Sequence, residues 1–187
     1  MRKTKFVIFI LILIGAALIT FLSQLTVKKI YPLKYTKYIK QYSGEYKLDP
    51  YLVAALIQVE SNYKIDARSH RNANGLMQIT DETGAWIASK MNIENYSDSM
   101  LYDAETNIKM GCWYLNNLRT EFGDNIDIVL AAYNAGRGNV KSWLQSHNYS
   151  VDGKKLDYIP FKETDKYVKR IETNYNIYKF VYKDKLK

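Results

Sequence analysis

Cysteine is nearly absent from this chain. Cys112 stands alone among 187 residues, so no intrachain disulfide can form. Its neighbours in a helical pattern are small or apolar, which reads as a buried, inert thiol. Histidine is almost as scarce. His70 and His147 belong to no metal-spaced cluster, which removes zinc motifs and the common Ser-His and Cys-His nucleophile systems. No metal and no cofactor are therefore expected. Pattern typical of strands is also lacking, and Ser69 to Met77 is the one candidate for a small hairpin. No internal repeat or low-complexity stretch interrupts the chain beyond its N-terminus.

The net charge of +8 suggests nucleic acid until it is divided. Arg2, Lys3, Lys5, Lys28 and Lys29 flank an uncharged N-terminal run; without them 22 basic residues face 19 acidic ones, a net +3. That is ordinary for a domain, so no nucleic-acid partner is expected. The run itself, Phe6 to Leu22, has no charge and Thr20 as its one polar side chain. With Ser23 to Val27 it reaches about 22 residues, enough to span a bilayer core as a helix. No Ala-x-Ala cleavage site follows, and no cysteine is present for a lipoprotein signal. Residues 1–29 are thus expected to be a cytoplasmic N-terminus and an uncleaved transmembrane signal anchor, with membrane contact through 6–27. Basic residues ahead of it favour an inside N-terminus, although Lys28 and Lys29 blunt the asymmetry. Residues 30–34 read as a short linker, and 35–187 as the folded domain.

In that domain the apolar spacing is helical almost throughout. Tyr35, Ile39, Tyr42 and Tyr46 mark a first helix, with Gly44 near its end. Asp49 is an N-cap and Pro50 sits at the first helical position, where a missing N–H is harmless. Thr80 caps a helix running to about Lys90, and Asn92 to Tyr102 reads as loop. Asp103 caps the clearest pattern, Ala104 to Phe122, which stops at Gly123. Asn125 opens another helix that Gly136 and Gly138 end. Val140, Trp143 and Leu144 mark a shorter one, His147 to Pro160 a loop, and Thr164 the start of a last helix. The expected fold class is mostly α, with six or seven helices. Most of the 17 tyrosines should pack in the core or at its rim with hydroxyls reaching solvent, and a subset is suited to stacking on sugars.

The helix after Asp49 places Val53, Leu56, Ile57 and Glu60 at i, i+3, i+4 and i+7. Its one acid beyond the cap therefore points with its core residues. Burial penalises a charged carboxyl, and the last turn's negative dipole potential acts in the same direction. A carboxyl kept protonated near neutrality is what a general acid needs. The plainer reading is a polar residue snorkelling from a frayed helix end.

Four motifs follow one another in order: Glu60-Ser61; Gly75-Leu76-Met77-Gln78-Ile79; Ala131-Ala132-Tyr133-Asn134-Ala135-Gly136; and Ile159-Pro160-Phe161-Lys162-Glu163-Thr164 with Tyr167-Val168. Together they closely resemble the catalytic domain of soluble lytic transglycosylases in the lysozyme-like superfamily, over roughly Tyr35 to Tyr178. The resemblance implies a lysozyme-like helical domain that cleaves peptidoglycan glycan strands at the β-1,4 bond from N-acetylmuramic acid to N-acetylglucosamine. It implies Glu60 as acid and then base, closing a 1,6-anhydromuramoyl end without water, so that the enzyme is a lyase. It also implies supporting or substrate-binding roles for Ser69, Gln78, Tyr133, Asn134 and Tyr167. Bland alternatives remain for two of these, a loop serine at Ser69 and a core tyrosine at Tyr167, while Met77 reads as packing. The family often has an apolar residue and proline after Gln78-Ile79, where this chain has Thr80-Asp81.

Ordinary glycosidases need two carboxylates, and no second one is evident here: Asp66 lies in a polar stretch, while Asp81 and Glu82 look like first-turn helix charges. A hydrolytic muramidase on the same fold is the alternative. A non-catalytic, membrane-tethered glycan-binding scaffold is a third reading. The resemblance implies a bacterial membrane location with the domain on the cell-wall face, and the short linker implies action near the membrane. Protein partners are not legible.

Overall fold

A computed structural model describes residues 2–186, and the side chains of these except residues 2–8, 11, 20, 23 and 24. The chain divides after Leu33 into two units. The first is one helix, α1 (Arg2–Ile30), closed by Lys28 and Lys29 in its last turn. Its described apolar side chains, among them Ile12, Leu13, Ile19 and Phe21, are exposed. The helix runs through Ile30, and Tyr31 N–H bonds back to the Val27 carbonyl, so helix continues into the expected linker.

The expected membrane span, residues 6–27, lies partly outside the described side chains. Among the described residues no helix is long and apolar enough to cross a membrane.

The second unit is mostly helical, as its spacing implies. Its helices are α2 (Thr36–Glu45), α3 (Pro50–Ser61), α4 (Asp81–Lys90), α5 (Ala104–Phe122), α6 (Ile126–Ala135), α7 (Arg137–Leu144) and α8 (Lys162–Val181). The caps read from sequence are in place. Asp49 Oδ1 accepts from Tyr51 N–H at 2.8 Å and Asp103 Oδ1 from Thr106 N–H at 2.8 Å. Thr80 and Asn125 cap α4 and α6 in the same way. α3 stops at Asn62, which takes a left-handed conformation (φ 52°) that asparagine tolerates better than most residues.

α8 packs along α3, while α5 contacts α2 and α6. The core between them holds Ile39, Val53, Leu56, Ile57, Ile108, Leu115, Leu118, Leu130 and Ile171, all fully buried. Each such side chain contributes roughly 1.5–3 kcal/mol of transfer free energy, so the apolar face of α3 is held firmly and fixes where its last turn ends.

Three details differ from the sequence reading. A hairpin forms, but its strands are β1 (Ala73–Asn74) and β2 (Ile79–Thr80), so the pairing extends past Met77. A short 3-10 helix occupies Asp98–Tyr102 inside the expected loop. Gly138 lies within α7 and Gly136 alone separates it from α6, with φ 89°. Tyrosine hydroxyls also turn inward more than expected. Tyr42 donates to Glu105 at 2.7 Å, Tyr51 to the Tyr182 carbonyl at 2.9 Å and Tyr175 to Asp49 at 2.7 Å. A phenol closed off from water needs such a partner.

Candidate active site

The loop between the two strands is built before any chemistry is possible. Gly75 has φ +75°, and a Cβ there would collide with the Leu101 carbonyl and the Asn107 amide. Only glycine fits. Asn107, fully buried on α5, accepts from Met77 N–H at 2.8 Å and donates to the carbonyls of Asn74 and Leu101. Gly111, one turn further, meets the Met77 side chain so closely that no Cβ has room. Ser61 then ties the end of α3 to this loop through a 2.8 Å bond to the Leu76 carbonyl. Ser61 in the Glu60-Ser61 pair is thus a structural tether.

That tether sets Glu60 at the mouth of a groove. Its side chain is half-buried, although protein surrounds most of the carboxyl. Burial raises its pKa from an ordinary 4.5 to about 7, against opposing pulls from Tyr167 and the Arg170 charge. Tyr167 O–H donates to Glu60 Oε1 at 2.5 Å from α8. The phenol is itself held far above its usual pKa by burial and by Glu60, so it stays a donor. A short bond from a fixed phenol orients the carboxyl, while burial keeps it half-protonated near neutrality.

Glu60, Ser69, Gln78, Tyr133 and Asn134 line one cavity of about 190 Å³. A neighbouring space of about 250 Å³ shares Gln78, Thr80, Tyr133 and Asn134 with it and continues toward Thr83, Tyr114 and Gly136. The two make one groove. Larger cavities of about 440 and 350 Å³ lie elsewhere on the domain and do not include Glu60. Volume does not select the site; the perturbed, oriented carboxyl does.

The candidate residues come together, but several are already engaged. Ser69 Oγ accepts from the N–H groups of Arg71 and Ala73, shaping the loop, and its own hydroxyl proton is left to donate. Gln78 Nε2 donates to the Ala67 and Gly75 carbonyls, so its amide oxygen is the end left for a ligand. Tyr133 O–H donates to the Met77 carbonyl at 2.8 Å, presenting its ring to the groove. Asn134 Oδ1 accepts from Thr164 Oγ1 at 2.8 Å, which leaves its N–H₂ free to donate.

Two charged residues join them that sequence reasoning did not single out. Arg71 borders both cavities, and Glu163 lines the one with Glu60. They pair at 3.6 Å. Glu163 stood inside a quoted motif, but nothing in its spacing points across the 91 intervening positions to Arg71. Asp81, a first-turn charge of α4 as the sequence reading has it, also accepts from the Asn74 amide at 2.6 Å, close to the hairpin.

The chain is similar to known proteins in both fold and sequence. The crystal structure of the 70 kDa soluble lytic transglycosylase from Escherichia coli superposes with a TM-score of 0.75 at 31% identity, covering 86% of this chain and 26% of that one. Lytic transglycosylase Slt from Pseudomonas aeruginosa, solved as an inactive glutamate-to-glutamine mutant, gives 0.71 at 27% identity over 82% of this chain and 25% of its own. In sequence, the soluble lytic murein transglycosylase of Escherichia coli K12 is 34% identical over 157 residues, 83% of this chain and 24% of that protein. The membrane-bound lytic murein transglycosylase C of Photorhabdus laumondii is 35% identical over 116 residues, 57% of this chain and 32% of that protein. This chain therefore spans 24% to 32% of the length of these curated relatives. The Transglycosylase SLT domain model matches residues 37–156, more than half of the chain, and the protein belongs to that family with its lysozyme-like fold.

Proposed function

We propose that this chain is a peptidoglycan lytic transglycosylase held at a bacterial membrane by its N-terminal helix, with the domain of residues 34–187 on the cell-wall face. The observation that carries the enzymatic reading is Glu60: half-buried, with a pKa near 7, oriented by Tyr167, and facing a groove.

In this reading the protonated Glu60 gives its proton to the glycosidic oxygen as the bond from muramoyl C1 breaks. The leaving N-acetylglucosamine departs as an alcohol, and the muramoyl N-acetyl oxygen assists at C1. The Glu60 carboxylate then takes the proton of the muramoyl C6 hydroxyl, whose oxygen closes on C1. One bond to C1 breaks and another forms, Glu60 regains its proton, and no water is consumed. A pKa near 7 suits a group that must first give and then take a proton. The amide oxygen of Gln78, the ring of Tyr133, the Asn134 amide and Ser69 are suited to position the sugars. The Pseudomonas relative is inactive as a glutamate-to-glutamine mutant, which supports a glutamate essential to activity in that protein.

Glu163, a second carboxylate in the same cavity, favours a hydrolytic muramidase as the second reading. Its exposure and its pairing with Arg71 weigh against a role as nucleophile or base. Mass spectrometry of peptidoglycan treated with the full chain, beside Glu60→Gln, separates the readings. Anhydromuramoyl ends that vanish with the variant support the transglycosylase. Reducing muramoyl ends mean that water attacks. Retained glycan binding without cleavage points to a scaffold.

Membrane attachment is supported by the exposed apolar side chains of α1, a surface that water alone would not favour, and by a relative named as membrane-bound. Cell fractionation tests it: the full chain should sediment with membranes, and a chain starting at residue 34 should not.

A further inference from the structure

We propose that Arg71 recognises the carboxylate carried by a muramoyl residue on its lactyl side, with Glu163 as the partner that this carboxylate replaces. The inference rests on the peptidoglycan reading above and names which feature of that polymer the groove selects.

A glycan strand of alternating N-acetylglucosamine and N-acetylmuramic acid is neutral along its sugar rings. Its acidity comes from the lactyl ether of each muramoyl unit, either as a free carboxylate or through the peptide stem attached to it. A groove that distinguishes the two sugars therefore gains from a cation at the right place. Among the described residues bordering the two cavities, Arg71 is the one with a fixed positive charge, and it borders both. It stands where one sugar-binding space passes into the next.

Its backbone is anchored while its side chain is not. Arg71 N–H donates to Ser69 Oγ at 3.2 Å, and Ser69 is pinned to Ala73 through both its backbone and its hydroxyl. The guanidinium meets Glu163 at 3.6 Å, with 65% and 73% of the two side chains exposed. An exposed pair at that separation is screened by water and salt and contributes little, so a better-placed carboxylate can displace Glu163. A guanidinium offers two parallel N–H groups to such a carboxylate, a fit that a lysine cannot copy. The cation is not directed at the general acid either, since the groups that oppose the rise in Glu60's pKa are Tyr167 and Arg170. Arg71 thus faces the groove with an anion-binding fork that the bond-breaking chemistry does not use.

The test compares three strands of equal length: stem-free strands with lactyl carboxylates, the same strands with those groups converted to methylamides, and strands bearing peptide stems. The full chain, Arg71→Leu and Arg71→Lys are assayed on each. The wild type is expected to have a KM about tenfold lower for a carboxylate-bearing strand than for the methylamide, the scale of one charge-assisted hydrogen bond. Arg71→Leu should abolish that preference through KM, and Arg71→Lys should restore part of it. A preference confined to stem-bearing strands assigns the carboxylate to the stem, and one present on stem-free strands assigns it to the lactyl group. Absence of a preference in the wild type, or its survival in Arg71→Leu, overturns the proposal. If no strand is cleaved at all, the transglycosylase reading falls; calorimetric binding of the same strands to the full chain and to Arg71→Leu still decides the role of Arg71 by the same preference.

Discussion

Replacing Glu60 by glutamine should make the protein more stable at neutral and alkaline pH. The carboxyl titrates at about 7 in the folded chain against an ordinary 4.5, and burial is the main cause. Between those values the native state binds a proton that the unfolded chain has released, so stability falls as pH rises. At 1.36 kcal/mol per pKa unit, the charged carboxylate destabilises the fold by about 3 kcal/mol above pH 7 and by nothing below pH 4. Glutamine keeps the carbonyl oxygen that Tyr167 bonds and removes the charge. Its amide N–H₂ asks for an acceptor where the carboxylate had none to satisfy, which trims the gain to roughly 1–3 kcal/mol. Urea unfolding of wild type and Glu60→Gln at pH 4 and pH 8 measures this directly. Contributions common to both proteins cancel in the difference between them. The difference should grow by a few kcal/mol from pH 4 to pH 8. A difference independent of pH, or a variant less stable at pH 8, would refute burial as the source of the acid's perturbation. Loss of activity alongside a gain in stability is the expected trade at a functional site.

Removing the Tyr167 hydroxyl, as in Tyr167→Phe, takes away a bond that favours the charged form, so the alkaline limb of kcat against pH should move up by about 1–2 units while kcat falls. An unmoved limb would mean that the phenol does not act on Glu60. Asn107→Ala strips partners from Met77 N–H and from the Asn74 and Leu101 carbonyls. It should destabilise by about 3 kcal/mol, and a melting temperature lowered by less than roughly 5 °C would contradict that role. Burial pushes the Cys112 thiol far above its usual range. It should therefore resist a thiol reagent such as dithionitrobenzoate in the folded chain and react at once in urea; reaction without denaturant would contradict its burial.

Much of the fold is written locally. Asp49, Thr80, Asp103 and Asn125 cap their helices because each offers an oxygen to an N–H two or three positions ahead, so the starts of α3 to α6 follow from sequence alone. The last helix, expected to start near Thr164, begins at Lys162, and the Thr164 hydroxyl is turned to Asn134 on α6. The short 3-10 helix was missed because nothing in its polar residues is periodic; the buried Leu101 and the bond from Asn107 define it.

At the candidate site, periodicity placed Glu60 on the core-facing side of α3, and the order of four motifs placed the chain in its family. Neither could supply the pKa of that carboxyl, which depends on how closely α8 and the hairpin loop approach it. The donor to Glu60 lies 107 residues away at Tyr167, and Arg71 meets Glu163 from a distant segment of the chain. Sequence by itself determined most of the helices, their caps and the core-facing place of Glu60 on α3, because those depend on neighbours within a turn. Tertiary structure alone decided that the acid is oriented, surrounded and set beside an ion pair, because desolvation and hydrogen bonding act through space between segments far apart in the chain.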